Sequence, residues 1–100
     1  MFIVMVNHWC KPGKAEAARS RIDKNGEEMV KAEGFLYRYR IENPAEPDKV
    51  STITAWSEEG QYRVFKDWQR QQAASASVPG EIPYERVVNE TFEVMKEHRR

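Results

Sequence analysis

Asn7 sits in an apolar run, Met1-Phe-Ile-Val-Met-Val-Asn-His-Trp-Cys10, and is the first side chain able to do chemistry. An amide in a greasy layer must find a hydrogen-bond partner, because leaving it unpaired costs about 1–3 kcal/mol. That partner is either a structural neighbour or a ligand. A second group follows at Tyr62, Phe65 and Trp68, whose spacing places three aromatics near one helical face. Such a stripe packs a core, and it can also wall a pocket for a flat aromatic molecule. His8 and Cys10 share a strand face, but the only other histidine is His98, so a metal site lacks ligands and none is expected. Arg38 and Arg40 interleave with Tyr37 and Tyr39, a pattern that reads as polar positions on an edge strand. Glu58 and Glu59 read as helix-start charges.

The elements that carry these residues follow from periodicity. Phe2 to Cys10 is β-branched or bulky throughout and reads as a strand. Alternation puts Ile3, Met5, Asn7 and Trp9 on one face, and Phe2, Val4, Val6 and His8 on the other. Lys11-Pro-Gly-Lys14 breaks the strand, and a helix is expected over residues 14–33, with Gly26 as a weak point and Gly34 as its cap. Residues 35–41 and 49–56 read as strands separated by a proline-stiffened loop. Ser57 is expected to cap a second helix that frays through residues 73–77. Residues 78–83 read as a turn-rich loop, and 84–95 as a last strand.

This order, β-α-β-β-α-β, predicts an α+β fold: a ferredoxin-like antiparallel sheet in one domain over residues 1–100. Both helices would cover one sheet face. The first strand is apolar on both faces, so the other face calls for a second copy of the sheet. A homodimer, a dimeric α+β barrel, is the expectation. The face of Asn7 is expected to look toward the helices, with Met5 and Trp9 beside it, and the face of His8 toward the partner. With those faces exchanged, His8 becomes the best general base.

Sixteen Lys plus Arg balance sixteen Asp plus Glu, so no field steers the protein to nucleic acid or an anionic membrane. One cysteine excludes an internal disulfide and, with no signal-like start, points to the cytoplasm. No stretch approaches the length of a membrane span.

Four segments carry a resemblance: the first strand ending in Lys11-Pro-Gly-Lys14, Glu33-Gly-Phe-Leu-Tyr37, Ala55-Trp-Ser-Glu-Glu59, and Tyr62 six residues after Trp56. Over residues 2–70 the chain resembles the antibiotic biosynthesis monooxygenase family of dimeric α+β barrel proteins. The resemblance implies oxidation of a small aromatic phenol or quinol by O2 with no cofactor. Asn7 matches the family's first-strand Asn. The helix aromatic falls on Phe65, with Trp68 one turn later. Asn7 and Trp68 are thus the candidate catalytic residues, and Met5, Trp9, Tyr62 and Phe65 the candidate substrate wall. A non-catalytic dimer binding a small hydrophobic ligand is the alternative. A sister group degrades haem with an added His, and that position falls at or near Ser75 here, which leaves iron without its proximal ligand.

Overall fold

The structure is a computed structural model, and it describes residues 1–75 and 82–100. Its elements are β1 (Phe2–Cys10), α1 (Ala15–Met29), β2 (Phe35–Ile41), β3 (Lys49–Trp56), α2 (Glu59–Ser75) and β4 (Tyr84–Glu93). The strands form one antiparallel sheet in the order β2-β3-β1-β4. The expected ferredoxin-like fold is thereby observed, with β1 and β3 central. The first three strands have their expected bounds, and the loop foreseen over 78–83 lies mostly outside the described residues.

Helix ends differ from expectation for local reasons. α1 ends at Met29, four residues early, and Gly34 instead turns the chain into β2 with a φ of +86°. Any Cβ on Gly34 would lie 1.9 Å from the Gln61 side chain, so only glycine fits. Ser57 does not cap α2. Its N–H donates to the carbonyl of Gly34 at 2.8 Å, while Gln61 Oε1 accepts the N–H of Glu58 at 3.1 Å and closes the helix start.

Both helices lie on one sheet face. Phe2, Val4 and Trp56 of the sheet pack with Met29, Tyr62 and Phe65 of the helices. At the other end Cys10 and Val50 pack with Ala18 and Ile22. Burying each large apolar side chain contributes about 1.5–3 kcal/mol, so these two clusters hold the helices down. The even-numbered side of β1 is therefore the helix side, which reverses the expected assignment. Ile3, Met5, Asn7 and Trp9 look the other way, toward an open face that also carries Tyr39, Ile41 and Phe92, exposed at 60%, 39% and 47%. Asn7 is satisfied there, as its Oδ1 accepts the Ser51 hydroxyl at 2.6 Å.

Candidate functional site

Ladder pairing lays out the helix side of the sheet as a grid. His8 is opposite Val50, Val6 opposite Thr52, Val4 opposite Thr54 and Phe2 opposite Trp56. Between this grid and the helices lies a cavity of about 170 Å³. Val6, Thr52, Thr54 and Trp56 form its floor, and Asn25, Met29, Tyr62 and Lys66 reach into it from above. His8 closes one end, Arg38 enters from β2, and Val87 and Asn89 of β4 form the outer wall.

Arg38 reaches the cavity because of a bulge. Phe35 pairs with Trp56 but Tyr37 pairs with Ala55, so Leu36 is an extra residue. The bulge turns Phe35, Arg38 and Arg40 to the helix side, and Tyr37 and Tyr39 to the open side. Gly26 of α1, expected as a weak point, has a spatial role here: a Cβ there would stand 3.2 Å from Arg38 Nε. Arg38 Nη1 donates to Met29 Sδ at 3.0 Å and to Thr54 Oγ1 at 3.2 Å, and Nη2 to the carbonyl of Ile22 at 3.4 Å. Burial lowers its pKa.

His8 has a defined tautomer. Its Nδ1 lies 3.0 Å from the Val50 carbonyl oxygen, which can only accept, so Nδ1 carries the proton and Nε2 keeps a lone pair. No described residue bonds Nε2. Burial pushes the imidazole pKa below its ordinary 6.5; the Val50 bond opposes that shift and the Arg38 charge adds to it. His8 is therefore neutral at physiological pH, as a general base must be. Tyr84 packs against it at 4.7 Å between ring centroids. Cys10, on the same face, is buried with its pKa raised, chiefly by desolvation, so its thiol stays protonated and inert.

Two residues that line the cavity each bury a polar atom with no partner, Thr52 Oγ1 and Trp56 Nε1. Each orphaned group costs about 1–3 kcal/mol. Among the described residues no His, Cys, Asp and Glu group is arranged to hold a metal ion.

The residues singled out from sequence do not converge in one chain. Tyr62 lines the cavity, and Phe65 packs on Trp56 behind it. Trp68 is 41% exposed and lines a separate surface groove of about 490 Å³ with Phe65, Val64 and Ala32. Met5 and Asn7 line a third hollow on the open face with Ser51 and Lys49, while Trp9 lies between Lys49 and Arg86. The position expected for a further histidine, at or near Ser75, falls where side chains are not described. Sequence reasoning missed Arg38, Thr52, Trp56 and Lys66 as site residues. The alternating Thr52, Thr54 and Trp56 of β3 were the one available signal.

The sequence profile of the antibiotic biosynthesis monooxygenase family matches residues 1–78. A comparison with curated proteins found no match. Among solved structures, a substituted variant of MhuD, the haem degrader of Mycobacterium tuberculosis, was solved with two manganese protoporphyrin IX molecules per active site. It is 13% identical with a TM-score of 0.80, over 100% of each chain. PA3566 from Pseudomonas aeruginosa is 13% identical with a TM-score of 0.78, over 95% of this chain and 94% of that one. SnoaB from Streptomyces nogalater, a cofactor-independent oxygenase, is 11% identical with a TM-score of 0.71, over 96% of this chain and 95% of its own. Identities this low speak for the fold alone.

Proposed function

Because the chain belongs to the antibiotic biosynthesis monooxygenase family, we propose that it is a cofactor-independent monooxygenase that oxidises a small phenol or quinol with O2 in the helix-side cavity. The observation that carries this reading is the free Nε2 of a neutral, oriented His8 in a cavity lined by Thr52 and Trp56, each with a buried polar atom that has no partner. His8 takes the proton from the substrate hydroxyl. Thr52 donates to the resulting phenolate oxygen. The electron-rich ring then reduces O2 and bonds one of its oxygens. Loss of water leaves a quinone, so the ring gives up two hydrogens and gains one oxygen while the other leaves as water.

The cavity volume bounds the substrate. Sites for drug-sized ligands run to about 300–1,000 Å³. A cavity of about 170 Å³ suits one or two rings better than a porphyrin, which supports a small aromatic substrate over haem.

Asn7, Met5 and Trp9 belong in this reading to the open face, and Trp68 to the outer groove. The apolar open face supports a homodimer through facing sheets. The buried free thiol of Cys10 accords with the cytoplasm, and no helix among the described residues is long and apolar enough to cross a membrane.

The test is oxygen uptake by metal-stripped protein against a panel of dihydroxynaphthalenes, anthrones and hydroquinones. The reading expects uptake above the spontaneous rate with a quinone product. Ligand binding without uptake on any of them would leave a dimeric binder of small aromatics.

A further inference from the structure

We propose that the substrate is an aromatic acid, a ring that bears a carboxylate besides its ionisable hydroxyl, with the carboxylate held by Arg38 and Lys66. The inference rests on the oxygenase reading above and names the substrate class of the same cavity.

Arg38 is surrounded by neutral acceptors: a thioether, a hydroxyl and a backbone carbonyl. Among the described residues no carboxylate bonds it directly; the Asp23 charge acts on it only at longer range and does not offset the cost of burial. Arg40, two residues on and on the same face, binds both Asp23 and Glu42. Acids are thus at hand along this edge, yet their bonds go to Arg40 and not to Arg38. Lys66 reaches the same cavity from α2, and its bonded partner is Gln69 Oε1 at 2.9 Å, again neutral. Removing charges from water without a counter-charge costs several kcal/mol per ion. Burial lowers the pKa of both groups; the Arg70 charge and then the Arg38 charge lower that of Lys66 further, and the Asp23 charge partly opposes the shift at Arg38. An anion between them would relieve these penalties.

The floor points the same way. Trp56 Nε1 can only donate, and the Thr52 hydroxyl can donate too; the two residues are 0% and 1% exposed. A neutral quinol would satisfy these donors but leave two cations unpaired. A planar carboxylate matches the fork of an arginine. The spacing fits as well. Thr54, which holds Arg38, is two residues from Thr52, about 6.8 Å along an antiparallel strand. That is the scale of one benzene ring with substituents at opposite ends, so a carboxylate at Arg38 leaves the hydroxyl near Thr52 and His8.

The test is isothermal titration at pH 7 with 4-hydroxybenzoate, its neutral isostere 4-hydroxybenzamide, and inorganic phosphate. The acid is expected to bind about tenfold more tightly than the amide. That preference should vanish in Arg38→Gln, shrink several-fold in Lys66→Gln and survive in Arg40→Gln. Circular dichroism checks the fold of each variant, and Lys66→Gln carries the test if Arg38→Gln does not fold. Equal binding of acid and amide would overturn the proposal, as would a preference undiminished in Arg38→Gln or in Lys66→Gln, or phosphate binding as tightly as the acid. No oxygen enters these titrations, so failure here beside uptake on neutral quinols would remove the acid and leave the oxygenase. Binding without uptake would do the reverse.

Discussion

His8 donates its Nδ1 proton to the Val50 carbonyl across the β1–β3 ladder, at 3.0 Å. That bond fixes which nitrogen is left to accept a proton, and burial keeps the ring neutral. The folded pKa lies below the ordinary 6.5. The acid limb of kcat/KM should therefore fall below pH 6.5, with a plateau above it. His8→Gln should remove that limb and lower turnover about 100-fold or more. A pH–rate profile of both proteins checks this.

The same shift has a consequence for stability. The unfolded chain binds the His8 proton at higher pH than the folded chain does. His8 thus contributes stability that is complete above the unfolded value of 6.5 and is lost as pH falls below it. In urea melts across pH 5–8 the stability difference between wild type and His8→Gln should be constant above pH 6.5 and shift against the wild type as pH falls below it.

Thr52→Val separates stability from function. The side chains are nearly the same shape, and the hydroxyl is buried without a partner. Removing an unsatisfied buried group should leave stability unchanged or raise it by about 1 kcal/mol. Turnover should fall, because a donor to the phenolate is gone. Thermal denaturation and oxygen uptake on one preparation test both halves. A clear loss of stability would show that Thr52 is satisfied in the free protein.

Gly34→Ala should destabilise the fold more than Gly13→Ala. Both glycines have positive φ, +86° and +74°. Each substitution incurs roughly 1–2 kcal/mol for a left-handed backbone. Only Gly34 adds a clash, since its Cβ would meet the Gln61 side chain while space around Gly13 is open. Denaturant midpoints of the two variants give the comparison.

The open face predicts a monomer when charged. Phe92 lies opposite Ile3 on that face and is 47% exposed. Phe92→Asp should shift sedimentation from dimer to monomer with the helical circular dichroism retained. A wild-type protein that sediments as a monomer would remove the dimer.

Strand order and the bounds of the first three strands were legible because alternation, prolines and glycines mark them locally; the last strand ends at Glu93, two residues before its expected end. The phase of β1 was not. Ile3 and Met5 are as apolar as Phe2 and Val4, so nothing in the run says which side meets the helices. Only the packing of Phe2 on Tyr62 and of Cys10 near Ala18 decides it. β2 hides its phase in another way. Its alternation runs unbroken through Phe35, Tyr37 and Tyr39, and the Leu36 bulge, set by pairing with β3, breaks it. That bulge turns Arg38 from an edge position into a cavity wall, so much of the site's chemistry lay beyond local pattern.

The most direct test compares two adjacent residues that face opposite ways. Oxygen uptake on the best quinol should fall about 100-fold in His8→Gln and change less than about threefold in Asn7→Ala. A collapse in Asn7→Ala with His8→Gln still active would place the chemistry on the open face and contradict the account.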